Sequence, residues 1–340
     1  MTSTRFDSPY HAPVLVAEVL DLLHGARHVL DGTLGGGGHS LALLESGSDV
    51  TGLDHDPDAI AAARTRLAQF ESHGCFRAIQ SNFADIESIP ELDGITFDGI
   101  VLDLGVSSHQ FDDEARGFSF REGAPLDMRM TGGPTTDDRG PTTANAVSTA
   151  ADLLNSADDQ ELSAIFKNFG DEPKGGRLAR EVVRRRGNRP FATSDDFVGA
   201  IRAVLGPRSG PGDFARLFQA LRIAVNGELD SLSRALPALR DRLAPAGVLA
   251  VIAYHSGEDR IVKHAFREWS LSCICPPKQI VCNCRGRPLG ELLTRKAVNA
   301  GPDETARNSR ARSAHLRAWR KESTDSSAVR VSSPLRSPHS

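Results

Sequence analysis

Three carboxylates carry the first chemical signal. Asp31, Asp54 and Asp103 each close a short, largely apolar run: VLD at 29–31, VTGLD at 50–54 and GIVLD at 99–103. Such runs read as buried strands with an acid at the tip. Buried carboxylates without partners are costly, so three of them at strand ends point to a polar ligand along one rim. Between the first two lies TLGGGGHS, with Gly35 to Gly38 in a row, followed by the apolar LALLE. A strand, a tight glycine turn and a helix start make the first unit of a nucleotide-binding α/β fold. Glycines let the backbone approach a ligand, and the first N–H groups of the helix point outward. An acid about 20 residues past such a turn is placed to accept from both hydroxyls of a ribose. The competing reading makes Asp54 or Asp56 a cap on the helix that Pro57 begins. Asn82 and Phe83 end FRAIQSNF, a third strand, where they edge and stack on an adenine or, for Phe83, simply fill the core.

The elements that must position these residues follow from periodicity. Val14–Leu23 has helical spacing, and an alanine-rich helix spans 58–68. If the strands are parallel, their carboxyl ends share one edge, where open α/β sheets bind ligands. From residue 113 the chain turns rich in Gly, Pro, Thr and charge, a loop far longer than an ordinary connection. Residues 144–205 then read as helices. One is ADLLNSADDQELSAIFKNFG. Another is GGRLAREVVRRRGNRP, whose Arg177, Arg180 and Arg184 share one face. That face is either merely solvated or a contact for nucleic-acid phosphates. FARLFQALRIAVNGELDSLSRALPALRDRL reads as one long helical stretch ended by Pro245 and Gly247. Val248–Ala253 is a fully apolar central strand, and Ala314–Trp319 an edge strand with Arg310, Arg312 and Arg317 available for phosphate. After Val248–Ala253, His255, Ser256, Glu258 and Asp259 form a polar cluster. Ser256 with Asp259 fits a helix cap, and an active-site role fits equally. The pattern predicts an α/β domain in two pieces, 1–112 and 214–321, a helical insert at 113–213, and a disordered Ser/Pro-rich tail at 322–340.

Composition narrows the function classes. At 340 residues, 39% hydrophobic and 25% charged, the chain is an ordinary globular protein, and its net charge of −4 argues against a generally basic coat. No apolar run approaches the ~20 residues of a membrane span. The N-terminus has no apolar signal core, so the chain reads as cytoplasmic. Cys273, Cys275, Cys282 and Cys284 cluster around a Pro-Pro turn, and in a reducing compartment four thiolates suit a structural zinc; the alternative is a reduced loop.

HAPVLVAEVL, DGTLGGGGHS, DLGVSSHQFD, ARGFSF, APLDMRM, FQALRIAVNGEL and NSRARSAHLR, in that order from about residue 10 to 320, resemble the ribosomal RNA small subunit methyltransferase H family. The resemblance implies a Rossmann-like class I methyltransferase sheet with an inserted helical domain. It implies S-adenosylmethionine as donor, and small-subunit ribosomal RNA or the small subunit as partner. The exocyclic amine of a cytidine in the decoding region would be the target. It places donor contacts on Gly37, Gly38, His39, Asp54, Phe83, Asp103 and Gln110. His109 and Gly257 depart from it, standing where the family usually has Pro and Leu. On the chemistry, Asp103 is the expected acceptor for the amine protons, although the resemblance gives it to the donor. Asp127, on the long loop, is the second candidate. Arg177, Arg180 and Arg184 are the expected RNA contacts. A nicotinamide-dependent oxidoreductase would want spaced glycines in GxGxxG, against the GTLGGGGH found here. An RNA-binding assembly protein without catalysis is the other class; it would bind the donor and transfer nothing.

Overall fold

A computed structural model describes residues 5–7, 12–105, 117–130, 148–276, 279 and 281–323. Its strands are β1 (His28–Asp31), β2 (Asp49–Asp54), β3 (Phe76–Gln80), β4 (Phe97–Asp103), β5 (Leu243–Ala253), β6 (Gly290–Leu292), β7 (Val298–Asn299) and β8 (His315–Lys321). They form one sheet in the order β3-β2-β1-β4-β5-β8-β6, with β7 also pairing β8. β1 to β5 run parallel and β8 is antiparallel to β5. The order turns back on itself between β1 and β4, which is where such a sheet opens a crevice. The Rossmann-like α/β class expected from the sequence is the fold observed.

Alternation along the strands feeds two cores. Val29, Val50, Val101, Ala250 and Ile252 pack with the helix Val16–Leu22 and the helix Pro57–Ser72 on one face. Leu30, Leu53, Ile100, Leu102, Leu249 and Val251 pack with the helix Glu228–Asp241 and the helix Ser256–Trp269 on the other. A third core belongs to the helices between β4 and β5, where Phe166 stacks on Phe197 and Phe197 meets Phe218 at a tilt. The helix Pro211–Asn226 sends Phe214, Leu217, Phe218 and Leu221 into that third core, so the expected division at 213/214 falls inside a helix that packs with the insert.

Several expectations need correction. ADLLNSADDQELSAIFKNFG is two helices, Ala150–Ser156 and Asp159–Asn168, because Asp158 caps a new start with its carboxylate on the Glu161 N–H. The long stretch at 214–243 is likewise two. It breaks at Gly227, whose φ of 56° is left-handed and suits glycine. Pro245 and Gly247 do not end that helix; they lie inside β5, which begins at Leu243. β8 is not an edge strand, since β6 and β7 pair along its far side.

Candidate active site

The tips of β1, β2 and β4 bring Asp31, Asp54 and Asp103 to one rim. Register fixes this: Asp31 lies beside Gly52 and Val101, and Asp103 beside Ile252 of β5. A cleft of about 330 Å³ opens there. Gly35, Gly38, His39, Asp54, Phe83 and Asp103 border it, with Met130, Asn226 and Glu258 closing the side toward the insert. Gly37 does not border it. It is the left-handed residue, φ 72°, that starts the helix Gly38–Glu45 and turns the first N–H groups toward the opening. Phe83 and Asn82 lie past the end of β3 rather than on it, where Asn82 caps a short 3-10 turn by accepting from the Ala84 N–H. Phe83 is left half-buried at the cleft. Gln110 and His109 lie outside the described residues.

The acids divide their labour. Asp56 is the helix cap, accepting from the Asp58 N–H at 3.0 Å. Asp54 faces the cleft, with one oxygen on the Gly35 N–H at 2.8 Å and the other on the Asp56 N–H at 2.9 Å. Burial raises its carboxyl above the ordinary range, and those two N–H groups oppose the rise. Asp31 is the buried support. It accepts from the Ser40 hydroxyl at 2.7 Å and the Thr33 N–H at 3.2 Å, and burial raises it too, with His39 as the main opposing influence.

Asp103 is buried as well. Its backbone N–H donates to the Thr33 hydroxyl at 2.6 Å, and its carboxylate accepts from the Gly105 N–H at 3.3 Å. The Tyr254 side chain lies close to that carboxylate. Burial, then the Asp103 charge, holds the tyrosine well above its ordinary range, so it stays protonated. His39 Nε2 donates to the Val14 carbonyl at 2.9 Å, which leaves Nδ1 facing Asp103 Oδ2 at 3.8 Å.

Sequence reasoning placed Glu258 in the polar cluster after β5 but missed Asn226 and Glu228 on the opposite wall. Asn226 accepts from the Met130 N–H at 2.9 Å and donates to the Met128 carbonyl at 2.8 Å, clamping the 128–130 segment to the cleft. Glu228 is held by the guanidinium of half-buried Arg222, at 2.9 and 3.0 Å. Glu258, only 3% exposed, accepts from the Tyr254 and His255 N–H groups. The Asn-Gly pair at 226–227, a turn signal inside a helical pattern, is what should have revealed this wall. The cap of the following helix is His255, not Ser256: its Nδ1 accepts from the Gly257 and Glu258 N–H groups. Ser256 donates to Asp171, and Asp259 is taken by Arg317 at 2.6 and 2.9 Å. Arg317 is therefore buried in an ion pair rather than available for phosphate. Gly257 lies in the first turn of that helix.

Asp127 does not border the cleft. Both its oxygens accept from Arg129, at 2.7 Å each. Arg177, Arg180 and Arg184 are all exposed on the helix Gly175–Arg186, as their spacing required. Arg184 is shared with Glu181, at 2.7 and 2.9 Å, and Arg180 and Arg184 border a groove with Asp158 and Asp159. The four cysteines lie together: Cys282 Sγ is 3.7 Å from Cys273, 3.9 Å from Cys275 and 3.5 Å from Cys284. Among the described residues no helix is long and apolar enough to cross a membrane.

Comparison with known proteins converges on one family. The family model described as the MraW methylase family matches residues 8–322. Ribosomal RNA small subunit methyltransferase H of Gemmatimonas aurantiaca is 61% identical over 311 residues, covering 92% of this chain and 95% of that protein. The protein of the same name from Heliobacterium modesticaldum is 44% identical over 322 residues, covering 92% and 98%. Among solved structures, an rRNA methylase from Streptococcus thermophilus aligns over 90% of this chain and 93% of its own at 9% identity, with a TM-score of 0.37.

Proposed function

We propose, since this chain belongs to the MraW methylase family, that it methylates the exocyclic amine of a cytidine in the decoding region of small-subunit ribosomal RNA, with S-adenosylmethionine as donor. Relatives named ribosomal RNA small subunit methyltransferase H support the substrate class. The observation that carries the reading is the acidic cleft at the strand tips, whose chemistry suits the donor at each end. Asp54 offers acceptors for a ribose diol, because each carboxylate oxygen accepts more than one hydrogen bond. Phe83 and Ala59 offer an apolar surface for adenine. The N–H groups starting the helix Gly38–Glu45 suit a carboxylate, and Asp103 suits positive charge. Gln110 joins this set through the family resemblance.

When bound, the donor supplies a methyl already activated on a sulfonium. The remaining work falls to the chain. A cytosine amine is a weak nucleophile because its lone pair is delocalised into the ring, and the base must leave any stack to reach the cleft. Asp103 accepts the amine protons and stabilises the positive charge that develops on nitrogen. The Gly105 N–H holds that carboxylate, with Tyr254 close beside it. Holding amine and methyl in line contributes ~7–11 kcal/mol in favourable cases. Asp127 is the second acceptor candidate. Its grip on Arg129 suits it better to fixing the segment that carries Met130 to the cleft. Arg177, Arg180 and Arg184 contact the phosphates of the RNA, and zinc is a candidate for the cysteines.

Labelled donor incubated with the protein and unmethylated small subunits should yield N4-methylcytidine on nucleoside digestion. Label on another nucleoside overturns the cytosine assignment. Donor binding with no label in either free RNA or subunits overturns the enzyme reading in favour of an assembly factor.

A further inference from the structure

We propose that Cys273, Cys275, Cys282 and Cys284 form a closed, four-thiolate zinc site that folds the segment between the helix Ser256–Trp269 and β6. The geometry is the first argument. A zinc bound by four sulfurs at about 2.3 Å sets neighbouring sulfurs about 3.8 Å apart at the corners of a tetrahedron. The contacts at Cys282 are 3.5, 3.7 and 3.9 Å, and all four sulfurs lie within 4.8 Å of one another. A disulfide needs about 2.05 Å, and all four cysteines are free thiols.

The segment itself supplies a second, independent argument. The connection 270–289 is long, and its described residues contain no helix or strand and no apolar core of their own. Leu271 is 44% exposed, Ile274 45% and Val281 72%. Something other than hydrophobic burial must fix it, and small units without a core use metals or disulfides for that purpose. The backbone is already arranged around sulfur: the Ile274 N–H donates to Cys284 Sγ at 3.4 Å, the outer-shell contact that metal-bound thiolates receive. Arg285 then ties the segment to the helix end through the Glu268 and Leu271 carbonyls.

The position gives the role. The helix Ser256–Trp269 begins at the cleft, where Glu258 borders it, and ends at the cysteine segment. With every sulfur committed, the metal has no open position for water or substrate, which is the mark of a structural rather than a catalytic zinc. The ion would anchor the far end of the helix that carries Glu258 and Asp259, outside the donor cleft.

Elemental analysis of full-length protein, expressed with zinc and purified without chelators, tests this directly. About one zinc per chain is expected. Cobalt reconstitution should give the visible bands of a tetrahedral thiolate site. The Cys282→Ser/Cys284→Ser double variant should lose the metal and unfold at lower temperature, while S-adenosylhomocysteine affinity measured below that temperature stays within about twofold. Metal-free wild-type protein, iron in place of zinc, or thiols paired as disulfides would each overturn the assignment. Because wild-type metal content decides the matter, a variant that fails to fold leaves the test intact. Because zinc is counted rather than activity, failure here is separable from failure of the methyl-transfer reading.

Discussion

The cleft and the arginine helix both concentrate charge, and they do so in opposite ways. Asp31, Asp54 and Asp103 are largely buried, each fixed by backbone N–H groups or hydroxyls from neighbouring strands and turns. Arg177, Arg180 and Arg184 stand in water, and Arg184 pairs within its own helix, with Glu181. Fixed buried charge can select one ligand by geometry. Exposed flexible charge attracts any polyanion and is screened by salt. The cleft is therefore where chemical identity is decided, and the helix is where a large substrate is held.

Substitutions that remove charge from each region should separate the two. The largest effect is expected at Asp54. Hydrogen bonds to a charged group contribute ~1.5–3 kcal/mol each, so Asp54→Ala should weaken donor binding by roughly tenfold or more. Calorimetry returning wild-type affinity in a folded variant would remove the ribose assignment. Next comes Asp103→Asn, which keeps the shape and alters the charge. Turnover should fall about tenfold with donor affinity near normal, and Asp127→Asn should do less. Loss of donor binding instead would make Asp103 a donor ligand alone.

The basic region should respond differently. Reversing Arg177, Arg180 and Arg184 to Glu should weaken substrate binding severalfold at low salt. It should also flatten the salt dependence by about 2 in log–log slope, at ~0.7 per phosphate contact on single strands. Donor affinity should hold. Unchanged substrate binding at every salt concentration would leave that face merely solvated.

Smallest is a pH effect on the helix itself. Hydrogen bonds from Arg184 and then Arg185 hold the Glu181 carboxyl down at about 2, against an ordinary value of 4.5. Because the folded value is depressed, the contribution is complete above 4.5 and is lost as pH falls toward 2. Glu181→Gln should thus narrow the gap in denaturation midpoint from wild type as pH drops through that window. The gap should stay below about 1 kcal/mol, as for other surface pairs. A gap independent of pH would show that the pair does not stabilise the helix.

How much of this was legible in the sequence depended on range. Asp54, the glycine turn and the apolar strand runs are local patterns, and they led to the right rim of the right sheet. Asp56 as the cap, leaving Asp54 to the cleft, resolved a choice the sequence left open. The clamp that Asn226 places on the 128–130 segment was not legible in its contacts, because they join residues far apart in the chain. Asn226 reaches the Met128 carbonyl and the Met130 N–H, 98 and 96 residues away. Arg317 was misread for a similar reason. An arginine on a strand looks available until the helix holding Asp259 is packed beside it. The arginine face was legible because helical spacing alone determines it.

The place of β8 has a consequence for how the chain is made. Its main-chain bonds run to β5 on one side, from Val248–Arg320 to Ala253–His315, and to β6 and β7 on the other. On a ribosome, β5 emerges long before β8 does. Through the synthesis of everything between them, the apolar run Val248–Ala253 therefore presents an unpaired edge, the kind that recruits other nascent strands. β6 and β7, both short, wait for the same late partner. A nascent chain halted before His315 would carry that open edge, and so would be a substrate for chaperones or a seed for aggregation.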